Sequence, residues 1–213
     1  MNVILRWITP EAERQIVDIA RVSSDPAKAK QPDEKLIAYL IRSRHVSPFE
    51  MASACFEISD VSRAITRQIL RHRSLHFQEF SQRYQDAQIA GGAMLTEVRM
   101  QHPTNRQASL DTADDGLRAW WREAQWDAAT TAHDIYRQAL AKGIAKEVAR
   151  VVLPEGMTPT RMMASGTIRD WLHYCGVRRG NGTQLEHVEV ADAIWSILRR
   201  ELPTITAAWE ATA

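Results

Sequence analysis

One segment of the chain is dense in groups able to do chemistry: Gln68-Ile69-Leu70-Arg71-His72-Arg73, followed after seven residues by Ser81-Gln82-Arg83-Tyr84. Planar guanidinium groups grip phosphate or carboxylate through paired hydrogen bonds, and a serine hydroxyl adds another donor. The set therefore suits an anionic ligand, above all a phosphate. Glu79 lies between the two halves and is placed either to order the arginines or to accept a ligand hydroxyl. Upstream, Arg63, Arg67 and Arg71 recur at four-residue intervals, where like charges repel by a few tenths of a kcal/mol per pair, roughly, in a helix. Something negative must offset them, a protein carboxylate or a ligand phosphate. A solvated face of arginine and glutamate is the other reading, and the residues alone leave both open.

These residues need elements to hold them. Residues 2–8 (NVILRWI) are apolar and β-prone enough for a strand, and Thr9-Pro10-Glu11 carries a cap and a first-turn proline for a helix to about Ser23. Asp25 to Pro32 reads as a polar connector, and Leu36, Ile37, Leu40 and Ile41 give Asp33 to Arg44 helical spacing. Met51 to Ile58 reads as a strand. Asp60 then caps a helix whose core face carries Val61, Ala64, Ile65, Ile69 and Leu70. Residues 85–110 look irregular. A long helix follows from Asp111 to about Ala141, with Leu117, Trp120, Trp121, Ala124, Ala128, Ile135 and Leu140 as candidate core or subunit contacts. Thr158 to Ser165 reads as a strand, Thr167 to Val177 as a helix, and residues 178–182 as a tight loop. A last helix runs from near Thr183 to Arg200.

Composition narrows the function. The 213 residues, 45% of them apolar, suffice for one large domain spanning 1–213. The opening MNVILRWITP lacks the features of a signal peptide, and no apolar run is long enough to cross a membrane, so a soluble, cytoplasmic protein is expected. Cys55 and Cys175 stand far apart with no CxxC pattern, and His102, His133, His173 and His187 are scattered. No metal site and no disulfide is expected. The net charge of +1, from 27 basic and 26 acidic residues, argues against a nucleic-acid-binding surface.

The stretch RHRSLHFQEFSQRY resembles the signature of the flavin-dependent thymidylate synthases: Arg-His-Arg, seven residues, then Ser. The likeness extends to His45-Val46-Ser47-Pro48-Phe49-Glu50, to Ser62-Arg63 with Arg67-Gln68, and to Ala149-Arg150-Val151-Val152-Leu153-Pro154. Arg169, Arg178 and Gln184-Leu185-Glu186 fall in the order of that family's C-terminal elements. The resemblance implies an α/β (α+β) fold with a central mixed or antiparallel sheet flanked by long helices. It also implies a homotetramer whose active sites form between subunits.

Carried over by residue, the resemblance implies that Gln68, Arg71, Ser81, Arg83 and Arg150 hold a uracil nucleotide, with Glu79, Phe80 and Gln82 alongside. Arg178 matches the arginine that contacts the pyrimidine and favours its N3-ionised form. Ser53, Arg71, His72, Arg73, Glu79, Thr167, Arg169 and His173 match positions around the flavin, FAD. Methylenetetrahydrofolate as carbon donor and NADPH as reductant follow from the same resemblance. The residues make independent sense of it: uracil C5 is a poor nucleophile, and neither cysteine sits in an activating pattern for attack at C6. An arginine that stays charged can stabilise negative charge on the pyrimidine instead. No GxGxxG marks a Rossmann site.

Several positions depart from the family pattern. Met51 replaces a histidine, His76 and Gln78 replace the inner Ser and Asn of the signature, Thr167 opens the Thr167-Ile168-Arg169 stretch in place of Asn, and His173 replaces a later Asn. The phosphate and pyrimidine contacts are kept while flavin-side and folate-side contacts differ. That pattern suggests a divergent member, such as a UMP methylase of nucleoside-antibiotic biosynthesis. Two further readings stand beside it. One is a nucleic-acid-binding ridge of Arg63, Arg67, Arg71 and Arg73, and the other is a homologue retaining the fold without activity.

Overall fold

The computed structural model describes residues 1–23, 32–180 and 182–212. Its centre is an antiparallel sheet in the order β1 (Asn2–Ile8), β2 (Ser53–Ser62), β6 (Pro159–Thr167) and β3 (His76–Glu79), and β4 (Met100–Gln101) pairs with β5 (Ser109–Leu110) in a separate small sheet. Side chains alternate across a strand. Ala54, Phe56 and Ile58 of β2 are accordingly buried together and lie in register with Gly166, Ala164 and Met162 of β6. Trp171 meets Phe56 edge-on at 4.8 Å and donates its indole N–H to the Ala54 carbonyl at 3.1 Å, so this large side chain is buried with its polar atom satisfied.

Helices α1 (Ala12–Arg21), α2 (Asp33–Arg42), α6 (Ile168–Arg178), α7 (Leu185–Glu201) and α8 (Pro203–Glu210) complete the main core with Ile16, Ile37, Leu172, Ile194 and Ile205. The result is a single α/β domain with an antiparallel sheet. The long helix α4 (Asp115–Ala141) stands apart, joined through Tyr136, Ala149 and Leu153 to the short α5 (Lys146–Ala149). No helix among the described residues is long and apolar enough to cross a membrane.

Several local expectations need correction. Helix α1 begins after Glu11 in a left-handed conformation, because the Thr9 hydroxyl is engaged with the Ser53 backbone. The helix α3 (Arg63–Ile69) is capped by Ser62, whose hydroxyl accepts the Ile65 N–H. Asp60 instead sits in a bulge of β2 at φ 55°. On α4 the expected buried position Ile135 is exposed, Trp120, expected as a core or subunit contact, is exposed in the single chain, and Gln125, Ala129, Ala132 and Tyr136 are buried. Beyond the last expected helix lies α8, which Pro203 opens from a first-turn position. Most of the expected connector 25–32 lies outside the described residues.

Candidate active site

Three chain segments converge on Arg178. Helix α3 carries Gln68 and ends in a turn through Arg71-His72-Arg73, closed where the Leu75 N–H donates to the His72 carbonyl at 3.0 Å. Its start is fixed by Glu186, which accepts from both the Ser62 N–H (2.6 Å) and hydroxyl (2.8 Å). Helix α6 begins in a reciprocal cap between Thr167 and Asp170, and its last turn presents Tyr174 and Arg178 four residues apart on one face. The first turn of α7 contributes His187, flanked by its N-cap residue Gln184. Gly166 lets the turn approach: a Cβ there would lie 2.4 Å from Leu75 Cδ2.

Within this cluster the Arg178 Nε–H donates to His72 Nε2 at 2.8 Å. Gln68 donates its amide N–H to Gln184 Oε1 at 2.7 Å, and its oxygen lies 3.4 Å from His187 Nδ1. Tyr174 packs its ring against both His72 and His187, at 4.9 and 5.6 Å between centroids. Burial, then the nearby Arg178 and His173 charges, push the His72 imidazole down to about 4; burial, then Arg178 and His72, push His187 down to about 3. Both rings are therefore neutral at pH 7. Burial raises the Tyr174 phenol, so it too stays neutral. Among the described residues Arg71, Arg73 and Arg178 form no ion pair with a carboxylate.

A second cluster gathers the residues after the turn. Glu79 Oε1 accepts from the Thr66 and Thr160 hydroxyls at 3.1 and 3.0 Å and lies 3.3 Å from Arg63 Nη1. Arg63 is buried, which lowers its pKa and leaves Glu79 to offset its charge. The Phe80 backbone is occupied on both sides, by the Arg161 carbonyl and by Arg63. Arg83 pairs with Glu147 at 3.1 Å, Arg150 donates to the Glu147 carbonyl at 3.3 Å, and Lys146 donates to the Tyr84 carbonyl at 3.2 Å. Ser81 and Glu79 line a hollow of about 340 Å³ with Arg161 and Tyr84. Gln82 is buried, its amide nitrogen without a partner.

The arginine ridge is thereby resolved. Arg63 is held inside by Glu79 and Arg67 pairs with Glu155, so protein carboxylates supply the foreseen offset for these two arginines, whereas Arg71 has no carboxylate partner among the described residues. A phosphate-tracking ridge would need Arg63 exposed.

A third feature is a groove of about 1320 Å³ between α2, α6 and α8. Its walls include Arg42, Arg44, Glu50, Arg169 and His173, over Val46, Leu172 and Trp209. Arg169 pairs with Glu50. Met51 is exposed beside them. Of the residues expected around a flavin, Arg169 and His173 line this groove, Arg71 and Arg73 lie exposed on the turn, and Ser53 faces Thr167 across the ladder. The Thr167 hydroxyl is committed to the Asp170 cap. No group of histidine, cysteine and carboxylate able to hold a metal occurs among the described residues.

Sequence reasoning missed Tyr174 and Glu147, and it treated His187 as scattered. The four-residue step from Tyr174 to Arg178 and the three-residue step from Gln184 to His187 were the available signals.

With this geometry in hand, likeness to known proteins is informative. Residues 4–204 match the family model for thymidylate synthase complementing protein. A probable flavin-dependent thymidylate synthase of Paramecium bursaria Chlorella virus 1 is 44% identical over 198 residues, covering 92% of this chain and 90% of its own. The flavin-dependent thymidylate synthase of Synechocystis is 44% identical, over 93% of this chain and 89% of its own. The crystal structure of the UMP/dUMP methylase PolB from Streptomyces cacaoi, bound with 5-Br UMP, superposes with a TM-score of 0.86 at 26% identity, over 99% of this chain and 94% of that one. The chain belongs to the thymidylate synthase complementing protein family. It is an enzyme of the flavin-dependent thymidylate synthase type.

Proposed function

We propose that the protein methylates C5 of a uracil nucleotide, dUMP or UMP, in a reductive reaction that uses FAD, methylenetetrahydrofolate as carbon donor and NADPH as reductant. The observation that carries this reading is Arg178: a half-buried guanidinium, aligned by a neutral imidazole beside Arg71 and Arg73, with no carboxylate to neutralise it. Such a group attracts negative charge on the pyrimidine oxygens as C5 attacks the one-carbon donor, and partial desolvation strengthens that attraction. A thiol route has no support. Cys55 and Cys175 are buried, and burial raises both thiols, so neither is a ready nucleophile.

The large groove fits a flavin. Its volume lies at or above the range of ordinary ligand clefts, about 300–1,000 Å³, and its wall combines the cations Arg42, Arg44 and Arg169 with the apolar Leu172 and Trp209. Arg169 and His173 would hold the cofactor there, with Ser53, Arg71, His72, Arg73, Glu79 and Thr167 named as its further surroundings. Bound in reduced form, a flavin supplies the hydride that completes the methyl group.

Gln68, Arg71 and Arg178 take the base side of the nucleotide in this reading, and Ser81, Arg83 and Arg150 take its phosphate, with Glu79, Phe80 and Gln82 nearby. Within one chain no hydrogen bond or ion pair among the described residues joins the Arg178 cluster to the Arg83–Glu147 cluster. Self-association as a homotetramer would let one subunit's phosphate cluster complete another's base cluster. The exposed Trp120 and Trp126 on α4, at 59% and 58%, supply apolar surface of the kind that subunits cover.

A UMP-directed role is the second reading, admitted by the likeness to a methylase that is named for both UMP and dUMP. Purified enzyme should be yellow and should methylate at least one of dUMP and UMP when supplied with the folate and reductant. Comparing initial rates on the two separates the readings: a rate on dUMP equal to or above that on UMP removes the specialised role. A colourless protein that also fails to bind added FAD overturns both.

A further inference from the structure

From the contact between the Arg-His-Arg turn and the end of α6 we infer that His72 is the positioning residue of Arg178, holding its guanidinium plane through the hydrogen bond that His72 Nε2 accepts. The inference rests on the role proposed for Arg178 and adds what fixes that side chain. An arginine has many rotamers, and freezing one requires a contact that removes its freedom. The Nε–H to His72 Nε2 bond at 2.8 Å does this at the root of the fork, and among the described residues both Nη groups remain without an acceptor in the chain.

The acceptor is itself held on several sides. His72 follows α3 in a tight turn, and its backbone N–H donates to Ile69 at 3.0 Å and its carbonyl accepts from Leu75. Its ring meets Tyr174 of α6 at 4.9 Å and His187 of α7 at 6.3 Å, both near perpendicular. His187 in turn lies 3.4 Å from Gln68 Oε1. The charged or titratable groups facing His72 are Arg178, His173 and Tyr174 from α6 and His187 from α7, none of them acidic.

Acceptor chemistry explains why an imidazole serves here. A carboxylate would align the guanidinium equally well but would neutralise it, leaving less charge for the substrate. Neutral imidazole aligns without neutralising. Because Nε2 accepts, the ring proton resides on Nδ1, and a proton added to Nε2 would turn the acceptor into a donor facing another donor. Burial and the Arg178 charge keep that state out of reach at pH 7.

Two substitutions separate alignment from packing. His72→Phe keeps a ring against Tyr174 and removes the acceptor, whereas His72→Gln removes the ring and keeps an acceptor of similar reach. The expected result is a fall of about 10²-fold in kcat for Phe, with KM for the nucleotide little changed, and recovery of most of that loss in Gln. In a UV titration of bound 5-bromo-UMP, N3 ionisation should move to higher pH in Phe and return toward the wild-type position in Gln. The reverse pattern, Phe active and Gln inactive, assigns His72 to packing and overturns the inference. So does a Phe variant that regains wild-type kcat once saturated with FAD, because His72 then acts on the cofactor. If Phe does not fold, His72→Asn, which is polar but falls short of Arg178, takes its place with the same expected loss. Wild-type enzyme that methylates neither nucleotide fails the functional reading itself, and the positioning role falls with it. An active wild type with an equally active Phe variant fails the inference alone.

Discussion

Arg178 and Arg83 are the same side chain in opposite settings. Arg178 is half-buried, bound at Nε by a neutral ring and backed by Tyr174, Gln68 and His187. Arg83 lies on the surface against a carboxylate that is also exposed, Glu147. In the first setting water is partly excluded, so a charge acts more strongly than at the surface and its direction is fixed. In the second the pair is screened and exchangeable, and such pairs contribute at most about 1 kcal/mol. In the proposed reading the first cluster acts on a charge that develops during reaction, and the second trades a protein carboxylate for a ligand anion. On that reading, the division of labour between base chemistry and phosphate capture follows from burial more than from residue type.

The largest effect should come from the buried member. Arg178→Ala is expected to lower kcat on the order of 10²–10³-fold, the scale for removing one donor aimed at a developing charge. Nucleotide affinity, measured by calorimetry, should fall far less, because the phosphate cluster is untouched. If both parameters fall together, Arg178 contributes ground-state binding and the contrast between the clusters is lost.

The two clusters also differ in how far the sequence announced them. Local periodicity found three strands of the main sheet and most helices: β1 spans the expected residues 2–8 and α6 starts where a helix from Thr167 was expected, whereas β3 lies in what read as a loop. It failed on α4, since spacing identifies an apolar stripe without saying whether the domain or another surface covers it. There Gln125 is buried by bonding to the Thr96 backbone while Trp120 stays exposed. It failed again at Arg63, whose burial depends on Glu79 arriving from sixteen residues later. The cationic turn was visible as an unbalanced charge. Its pairing with Arg178 was not, because His72 and Arg178 meet across 106 positions of chain. The family resemblance named Arg178 as a candidate, and the fold adds its hydrogen bond to His72.

Acidification tests the buried cluster without mutation, with a smaller effect. His72 and His187 have folded-state values near 4 and 3, below the ordinary 6.5 of an exposed imidazole. Between those values and 6.5 the unfolded chain binds more protons than the folded one, so stability is complete above about pH 6.5 and declines as pH falls toward 4 and then 3. The slope owed to the fully buried His187 is at most about 1.4 kcal/mol per pH unit, and the partly exposed His72 adds less. Urea midpoints at pH 7, 6, 5 and 4 read this directly. His187→Gln should flatten the acid side of the curve, whereas Glu147→Gln should leave the contribution of these histidines in place. A wild-type midpoint constant from pH 7 to 4 would mean that the imidazoles are solvated and that the contrast in burial is illusory.

The smallest effect belongs to the surface pair. Glu147→Gln removes the carboxylate that Arg83 must leave before it can take a phosphate. Glu147 also accepts from Arg150, but through its backbone carbonyl, which the substitution preserves. Releasing an exposed partner returns about 0.2–1 kcal/mol, so nucleotide affinity should tighten by a factor of up to about five at low salt. Added salt should shrink the gain, since it screens the original pair and the new phosphate contact alike. The kcat value should hold steady, because among the described residues Glu147 shares no hydrogen bond or ion pair with the Arg178 cluster. A weakened affinity would show instead that Glu147 orients Arg83 and Arg150 for the phosphate. The surface cluster would then be preorganised in the same sense as the buried one.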